Sequence, residues 1–350
     1  MSPADGTGPL PEGGMAPRKA LGIGASIVLL GALAAALILL TNSHLPAYGH
    51  IVSTATARKG TASSRHLRES SPPSTLPPAT AGTRRPAGST DLLGLEAQAS
   101  FDSLAASMPA QIGMAIAPLR PGKVQKLGQL QLGHAWSSIK VPILVTLMRE
   151  GRLSPEEEQW ANEALTASDN TAAADLFQQL ERTHGGISGA STAVQEVLAM
   201  AGDTSTTVTI EPPPPGAVST YGQTEWSLTG SVQFYREMAR GCLLRPAGTE
   251  YVLGLMKSVI PEQRWGLGEA GFPADWKVGM KGGWGPEDGT GRYLVRQSGV
   301  VQQGDTGFAV TMIVKDDSGS FEAGSHDLTR IATWLRENLR FPLPLIDSCA

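Results

Sequence analysis

Hydrophobic and polar residues are arranged in three ways along this chain, and each arrangement predicts a different kind of structure. From Leu21 to Leu40, LGIGASIVLLGALAAALILL, no residue is charged and apolar side chains dominate. About 20 such residues cross a bilayer as one helix. Arg18 and Lys19 precede the run, and Asn42, Ser43 and His44 follow it. That asymmetry predicts residues 1–20 in the cytoplasm, 21–40 as a single-pass transmembrane helix and the remainder outside the membrane. A cleaved signal peptide, leaving a secreted protein, is the competing reading, because it too has a basic start and an apolar middle. The run is long for a signal peptide, and the small residues Ala55 and Ala57 lie too far downstream for a convincing cleavage site. No cysteine follows directly to carry a lipid anchor.

Residues 41–94 show the second arrangement, which has no period. Stretches such as SSPPSTLPPATAGTRRPAGST are rich in Ser, Thr, Pro, Ala and Arg and offer little to bury, which predicts a disordered, partly extended linker. Its charges are mostly basic, from Arg58 to Arg85, and read as a solvated surface.

The third arrangement is that of a packed domain, expected over residues 95–345 with a short tail at 346–350. A helical pattern covers about Ala97 to Met108. QIGMAIAPL and KVQKLGQLQLG then alternate and break at RPG, like two antiparallel strands and a turn. Helical patterns fill Ser137 to about Ala201 and Ser227 to Gly241. Strand character returns at Arg292 to Val301 and Thr306 to Asp316, and a last amphipathic helix spans His326 to Leu339. Strands at both ends of a helical middle predict an α/β fold: one sheet assembled from the two ends and packed with helices, plus an inserted all-α lobe. Clefts between such lobes commonly hold sites.

Composition narrows the chemistry. With 350 residues the chain can bury a full core, and its net charge of -4 lacks the basic face that nucleic acid requires. The six histidines have no H-E-x-x-H or comparable spacing, so neither a metal nor another cofactor is expected. Cys242 and Cys349 would lie outside the membrane, where a disulfide persists; they form either that bridge or two unpaired thiols.

Three short strings carry the candidate chemistry. GHAWSSIK places Ser137 three residues before Lys140, and on a helix such a pair faces the same way. A lysine amine can take a serine's proton when desolvation or nearby cations lower its pKa. Alone the pair is weak, since about one Ser-x-x-Lys arises by chance in a chain of this length. TASDNTAAADLF adds Ser168, Asp169 and Asn170 at a helix start, and WKVGMKGGWGP adds Lys281, Gly282 and Gly283 ahead of the late strands.

Ser-x-x-Lys, Ser-Asp-Asn and a Lys-Thr-Gly-like string, in that order, resemble the serine β-lactamases of class A and the wider superfamily of penicillin-recognising hydrolases. The resemblance covers about Ala97 to Leu339 and implies a β-lactamase/transpeptidase-like fold in a divergent, membrane-anchored member. It implies Ser137 as the acylated nucleophile, Lys140 as its proton acceptor, and Ser168 as the group passing a proton to the leaving nitrogen. Asn170 would hold the lysine, and Lys281 would add positive field. The oxyanion hole would be the backbone N–H groups of Ser137 and of Trp284, after Gly282 and Gly283. A substrate carboxylate would call for Arg292 or Arg296.

Departures from the family pattern are informative too. Gly282 stands where Thr or Ser would supply a hydroxyl for that carboxylate. The interval from Ser137 to Ser168 is short for the family, which predicts a reduced helical lobe and a more open cleft. Glu211, in EPPPPG, sits where the deacylating glutamate is sought, but Pro215 replaces the loop asparagine and four prolines favour an extended backbone. Glu225 is a weaker candidate for that base. His134 reads as structural, and Trp136, Tyr221, Trp226 and Trp284 as packing residues that also border the motifs.

The expectation is therefore a serine hydrolase on the outer side of a bacterial cell membrane, working through a Ser137 acyl-enzyme on a β-lactam, peptide or related acyl substrate, with deacylation open. A D,D-peptidase acting on peptidoglycan stem peptides and a non-catalytic binding protein are the alternatives. The oligomeric state is not legible.

Overall fold

The computed structural model describes residues 90–213, 217–286 and 292–349. The expected transmembrane run at 21–40 and nearly all of the linker lie outside the described residues. Among the described residues, no helix is long and apolar enough to cross a membrane.

Five strands form one antiparallel sheet in the order β2-β1-β5-β4-β3. They are β1 (Ala110–Pro118), β2 (Gln125–Gly128), β3 (Lys277–Pro286), β4 (Tyr293–Gln303) and β5 (Thr306–Asp316). The sheet is thus assembled from both ends of the domain, with β1 pairing β5 from Ala110↔Asp316 to Pro118↔Phe308. Successive side chains of a strand face opposite ways, and β1 sorts its residues accordingly. Ile112, Met114 and Ile116 join a core with Phe101 of α1 (Ala97–Ala106) and Leu328, Ile331 and Leu335 of the last helix. Ala115 and Ala117 face a second core that continues into the helical lobe. Small residues there let helices approach the sheet closely.

The helical lobe runs through α2 (Lys140–Glu150), α3 (Pro155–Asn162), α4 (Asn170–His184) and α5 (Ile187–Met200); α6 (Leu228–Ala239) and α7 (Pro246–Lys257) follow. Their starts are written locally. Ser154 caps α3 with a reciprocal bond from Glu157 and Pro155 at the first position, and Asp169 accepts from Ala172 N at 2.8 Å to cap α4. Gly185, at φ 75°, ends α4 in the left-handed conformation that glycine adopts without strain. The closing helix α8 spans Phe321–Asn338, five residues earlier than its apolar period suggests, because Ser320 caps it through Ala323 N.

Packing starts before residue 95: Leu92 and Leu93 are buried, and their N–H groups donate to Gln125 Oε1. The C-terminal residues are tied down as well, with Ile346 N donating to Asp305 O and Asp347 N to Leu119 O, both at 2.8 Å. Cys242 and Cys349 are joined in a disulfide with Cα atoms 5.0 Å apart, which fastens that end to the segment after α6.

Candidate active site

Ser137 is presented by a single 3-10 turn, Trp136–Ile139, that leads into α2. Pro142 fits the first turn of α2, where no intrahelical N–H is required. The turn is tightly held. Trp136 has φ 46°, a left-handed conformation that costs a bulky residue on the order of 1–3 kcal/mol. Ala135 N donates to Thr224 O at 2.8 Å, and Tyr235 Oη donates to Ser138 O at 3.0 Å.

Arg296, one of the two arginines expected to meet a substrate carboxylate, is placed in this support. It is wholly buried, and its Nη1 donates to Gly133 O, His134 O and Trp226 O at 3.1, 3.2 and 3.1 Å. The Trp226 ring lies 5.4 Å from the guanidinium. Burial lowers its pKa to about 10, with the nearby Tyr235 acting in the opposite sense. The other candidate, Arg292, is exposed and ion-paired with Asp317 at 3.5 Å. Neither arginine lines the cleft that holds Ser137.

The second motif sits on an equally special backbone. A π-helical turn, Glu163–Ala167, follows α3 and ends at Ser168, which has φ 62° and ψ 28°. Such turns and left-handed non-glycine residues concentrate at functional sites. Lys140 reaches across from α2. Its buried Nζ donates to Ser168 O at 2.7 Å, Asp169 O at 3.0 Å and Asn170 Oδ1 at 2.9 Å. Desolvation lowers its pKa to about 7, against the opposing pull of the Asp169 charge. Among the described residues, Ser137 Oγ has no hydrogen bond to Lys140.

Strand β3 brings the third motif. Because its side chains alternate, Met280 enters the core under α8 while Lys281 points to the other face. Lys281 Nζ donates to Ser168 Oγ at 2.7 Å and to Gly282 O at 3.0 Å. Burial holds its pKa well below the usual lysine value, and repulsion from Lys140 adds to this. Two amines thus meet at one serine, and their mutual repulsion favours a neutral form for one of them. Gly283 lets the strand approach the nucleophile turn: a Cβ placed there would lie 2.8 Å from Ser137 N. A Cβ on Gly282 would instead collide with the Trp265 ring, 2.4 Å from Cζ2.

Together these elements enclose a cleft of about 190 Å³. It is lined by Trp136, Ser137, Ser168, Asn170, Trp284 and Gly285, and also by Val218, Ser219, Pro286 and Tyr293. The last four have no sequence signal, since only the fold brings them to the motifs. Expected site residues Ser137, Ser168, Asn170 and Trp284 therefore share one cleft, with Lys140 and Lys281 buried behind Ser168. Trp136 packs its ring over Gly285, Tyr221 packs at a tilt against Phe177, and the Trp226 indole donates to Asp203 Oδ2 at 2.9 Å. His134 packs edge-on to Trp136, outside the lining.

Glu211 is placed elsewhere. It is exposed and, with Glu225, lines a separate groove of about 810 Å³ that also contains Ser191 and Thr192. Thr209 N donates to Thr224 Oγ1, so the approach to the proline run follows the segment before α6 and does not turn into the cleft. No described residue of the cleft is a carboxylate. Among the described residues, the grouping of metal-ligand types is Glu237 with Cys242 and Cys349, whose sulfurs are already bonded to each other.

Solved structures share this architecture. A β-lactamase from Xanthomonas campestris pv. campestris superposes with a TM-score of 0.55 at 17% identity, covering 69% of this chain and 97% of that one. The chain has the fold of the class A β-lactamases. A putative class A β-lactamase from Rhodopseudomonas palustris matches at TM-score 0.55 and 17% identity, over 69% of this chain and 98% of that chain. The chromosome-encoded β-lactamase of Vibrio parahaemolyticus gives 0.55 and 15%, with the same coverages of 69% and 98%. At such identities the likeness is one of fold. No protein-family model matches the sequence, and no curated protein matches it. The interval between Ser137 and Ser168 holds the rest of the 3-10 turn, α2, α3 and the π-helical turn.

Proposed function

We propose that this chain is a serine hydrolase of the β-lactamase and penicillin-binding type, held outside a bacterial membrane by the Leu21–Leu40 run. The observation that carries the reading is the convergence of both lysines on Ser168, in the cleft that Ser137 lines. Lys140, with a pKa about 7, is partly neutral at neutral pH and accepts the Ser137 proton. Ser137 Oγ attacks the substrate carbonyl carbon, and the N–H groups of Ser137 and Trp284 receive the oxyanion. As the bond to the leaving group breaks, Ser168 supplies that group with a proton and regains one from Lys281. An acyl-Ser137 ester remains.

Hydrolysis of that ester is the slow half. Glu211 lies in the other groove, and a positioned general base contributes about 10²- to 10⁴-fold. A long-lived acyl-enzyme follows, closer to penicillin-binding proteins than to fast β-lactamases. The substrate class is an acyl group of β-lactam, peptidoglycan stem-peptide or related type. Release of D-Ala from a D-Ala-D-Ala peptide, faster than cephalosporin clearance, would mark a D,D-peptidase.

A non-catalytic binding protein is favoured by one observation: all three Lys140 hydrogen bonds go to the Ser168–Asn170 segment. Intact mass decides between them. The full chain is exposed briefly to a penicillin and to a fluorophosphonate, with Ser137→Ala as control. A Ser137-dependent adduct with either reagent is expected. A folded sample that gains no mass from either sinks the enzymatic reading.

A further inference from the structure

We propose that the cleft selects acyl donors that carry no carboxylate beside the scissile bond and that present an apolar or aromatic group instead. This rests on the acyl-enzyme reading above and narrows its substrates: penicillins and D-Ala-D-Ala peptides, which carry that carboxylate, become the slow donors and the related uncharged acyl donors the fast ones. Its support comes from the fate of each group able to hold a carboxylate.

Gly282 offers no hydroxyl, and its surroundings exclude one. The Trp265 ring fills the space next to its Cα and is itself packed edge-on against Trp284, with centroids 6.0 Å apart, and Phe321, 5.7 Å apart. Arg296 is wholly buried outside the cleft lining, with its Nη1 on three main-chain carbonyls of the core. Arg292 points to Asp317. Lys281 lies behind Ser168, 1% exposed, with Nζ on Ser168 Oγ and Gly282 O. Among the described residues lining the cleft, none is cationic.

A carboxylate entering this cleft would contact only neutral donors, such as Ser168, Asn170, Ser219 and Tyr293, because the Lys281 amine stays behind Ser168 on Ser168 Oγ and Gly282 O. Desolvating a charge that has no countercharge in contact with it is costly. The same walls suit a different ligand. Trp136, Trp284 and Tyr293, with Val218 and Pro286, offer flat and apolar surface for an acyl side chain or leaving group without charge. The reaction remains the one described: Ser137 Oγ forms the ester bond, and the leaving group departs with the proton that Ser168 supplies.

The test uses two phenylacetylglycyl thioesters on the full chain. One has a leaving group ending in a carboxylate; in the other that carboxylate is capped as a methyl amide. Formation of the Ser137 acyl adduct is followed by intact mass, and thiol release gives kcat/KM. The capped donor should react about tenfold faster or more, because the carboxylate gives up hydration on entering the cleft without gaining an ion pair there. Val218→Lys, which adds a cation at an exposed position on the cleft wall, should narrow or reverse that preference. Equal or faster reaction of the carboxylate donor with the unaltered chain overturns the selectivity. If a fluorophosphonate also fails to label Ser137 in folded protein, the acyl-enzyme reading falls and this proposal falls with it. Labelling by the fluorophosphonate together with a carboxylate preference overturns the selectivity alone.

Discussion

Fixing the charge on Lys140 tests the proposed proton route. With a pKa lowered to about 7 by burial, its neutral fraction rises from about one-tenth at pH 6 to about nine-tenths at pH 8. If the neutral amine accepts the Ser137 proton, the rate constant for Ser137 acylation by a fluorogenic ester should climb about tenfold over that range and then level off. Lys140→Arg keeps a donor for Ser168 O, Asp169 O and Asn170 Oδ1 but cannot be deprotonated. Its acylation rate should fall by about 10²-fold or more and lose the rise with pH. Lys140→Met removes the amine altogether and should be equally slow, which covers the case in which arginine does not fit the buried site. Stopped-flow acylation between pH 6 and 8, with circular dichroism on each variant, gives the answer. A flat profile in the unaltered chain, or a folded Lys140→Arg that acylates at the original rate, refutes Lys140 as the base.

The same depressed pKa has a stability consequence. The unfolded lysine binds a proton up to about pH 10.5 and the folded one only up to about 7, so the penalty is complete below pH 7 and shrinks as pH rises above it. Between pH 7 and 9 this group should add about 2 kcal/mol of unfolding free energy in urea titrations, and Lys140→Met should remove that increment. Gly282→Thr should destabilise the domain by about 1–3 kcal/mol, because its Cβ meets the packed Trp265 ring; Trp265→Leu in the same chain should recover part of the loss, and a neutral single substitution would contradict the packing account. Reducing the Cys242–Cys349 bridge, which closes a 107-residue separation, should lower stability by about 2–5 kcal/mol, read as a shift of the thermal midpoint with and without dithiothreitol.

The kinds and order of elements were legible in the sequence because they rest on local patterns. Alternation marked β1, β4 and β5, and Ser227 and Asp169 announced helix starts. The boundaries were less so. Ser137 was placed on a helix by period, whereas a 3-10 turn and the strained Trp136 precede α2. Such a backbone is held by Arg296, Tyr235 and Thr224, residues nearly a hundred or more positions away in two cases. Glu211 was sought near the nucleophile from its interval alone. Thr209 N donates to Thr224 Oγ1 instead, and Glu211 lines another groove.

By itself the sequence determined the chemical repertoire of this protein: Ser137 with Lys140, Ser168 with Asn170, Lys281, and the absence of a hydroxyl at Gly282. Residue identity and short spacing encode these directly. Tertiary structure alone decided which of those groups meet and which candidates are spent elsewhere. It brought both lysines to Ser168, buried Arg296 in the support of the nucleophile turn, paired Arg292 with Asp317, and joined Cys242 to Cys349. Those outcomes depend on which residues pack across the sheet, a long-range property that no local period records.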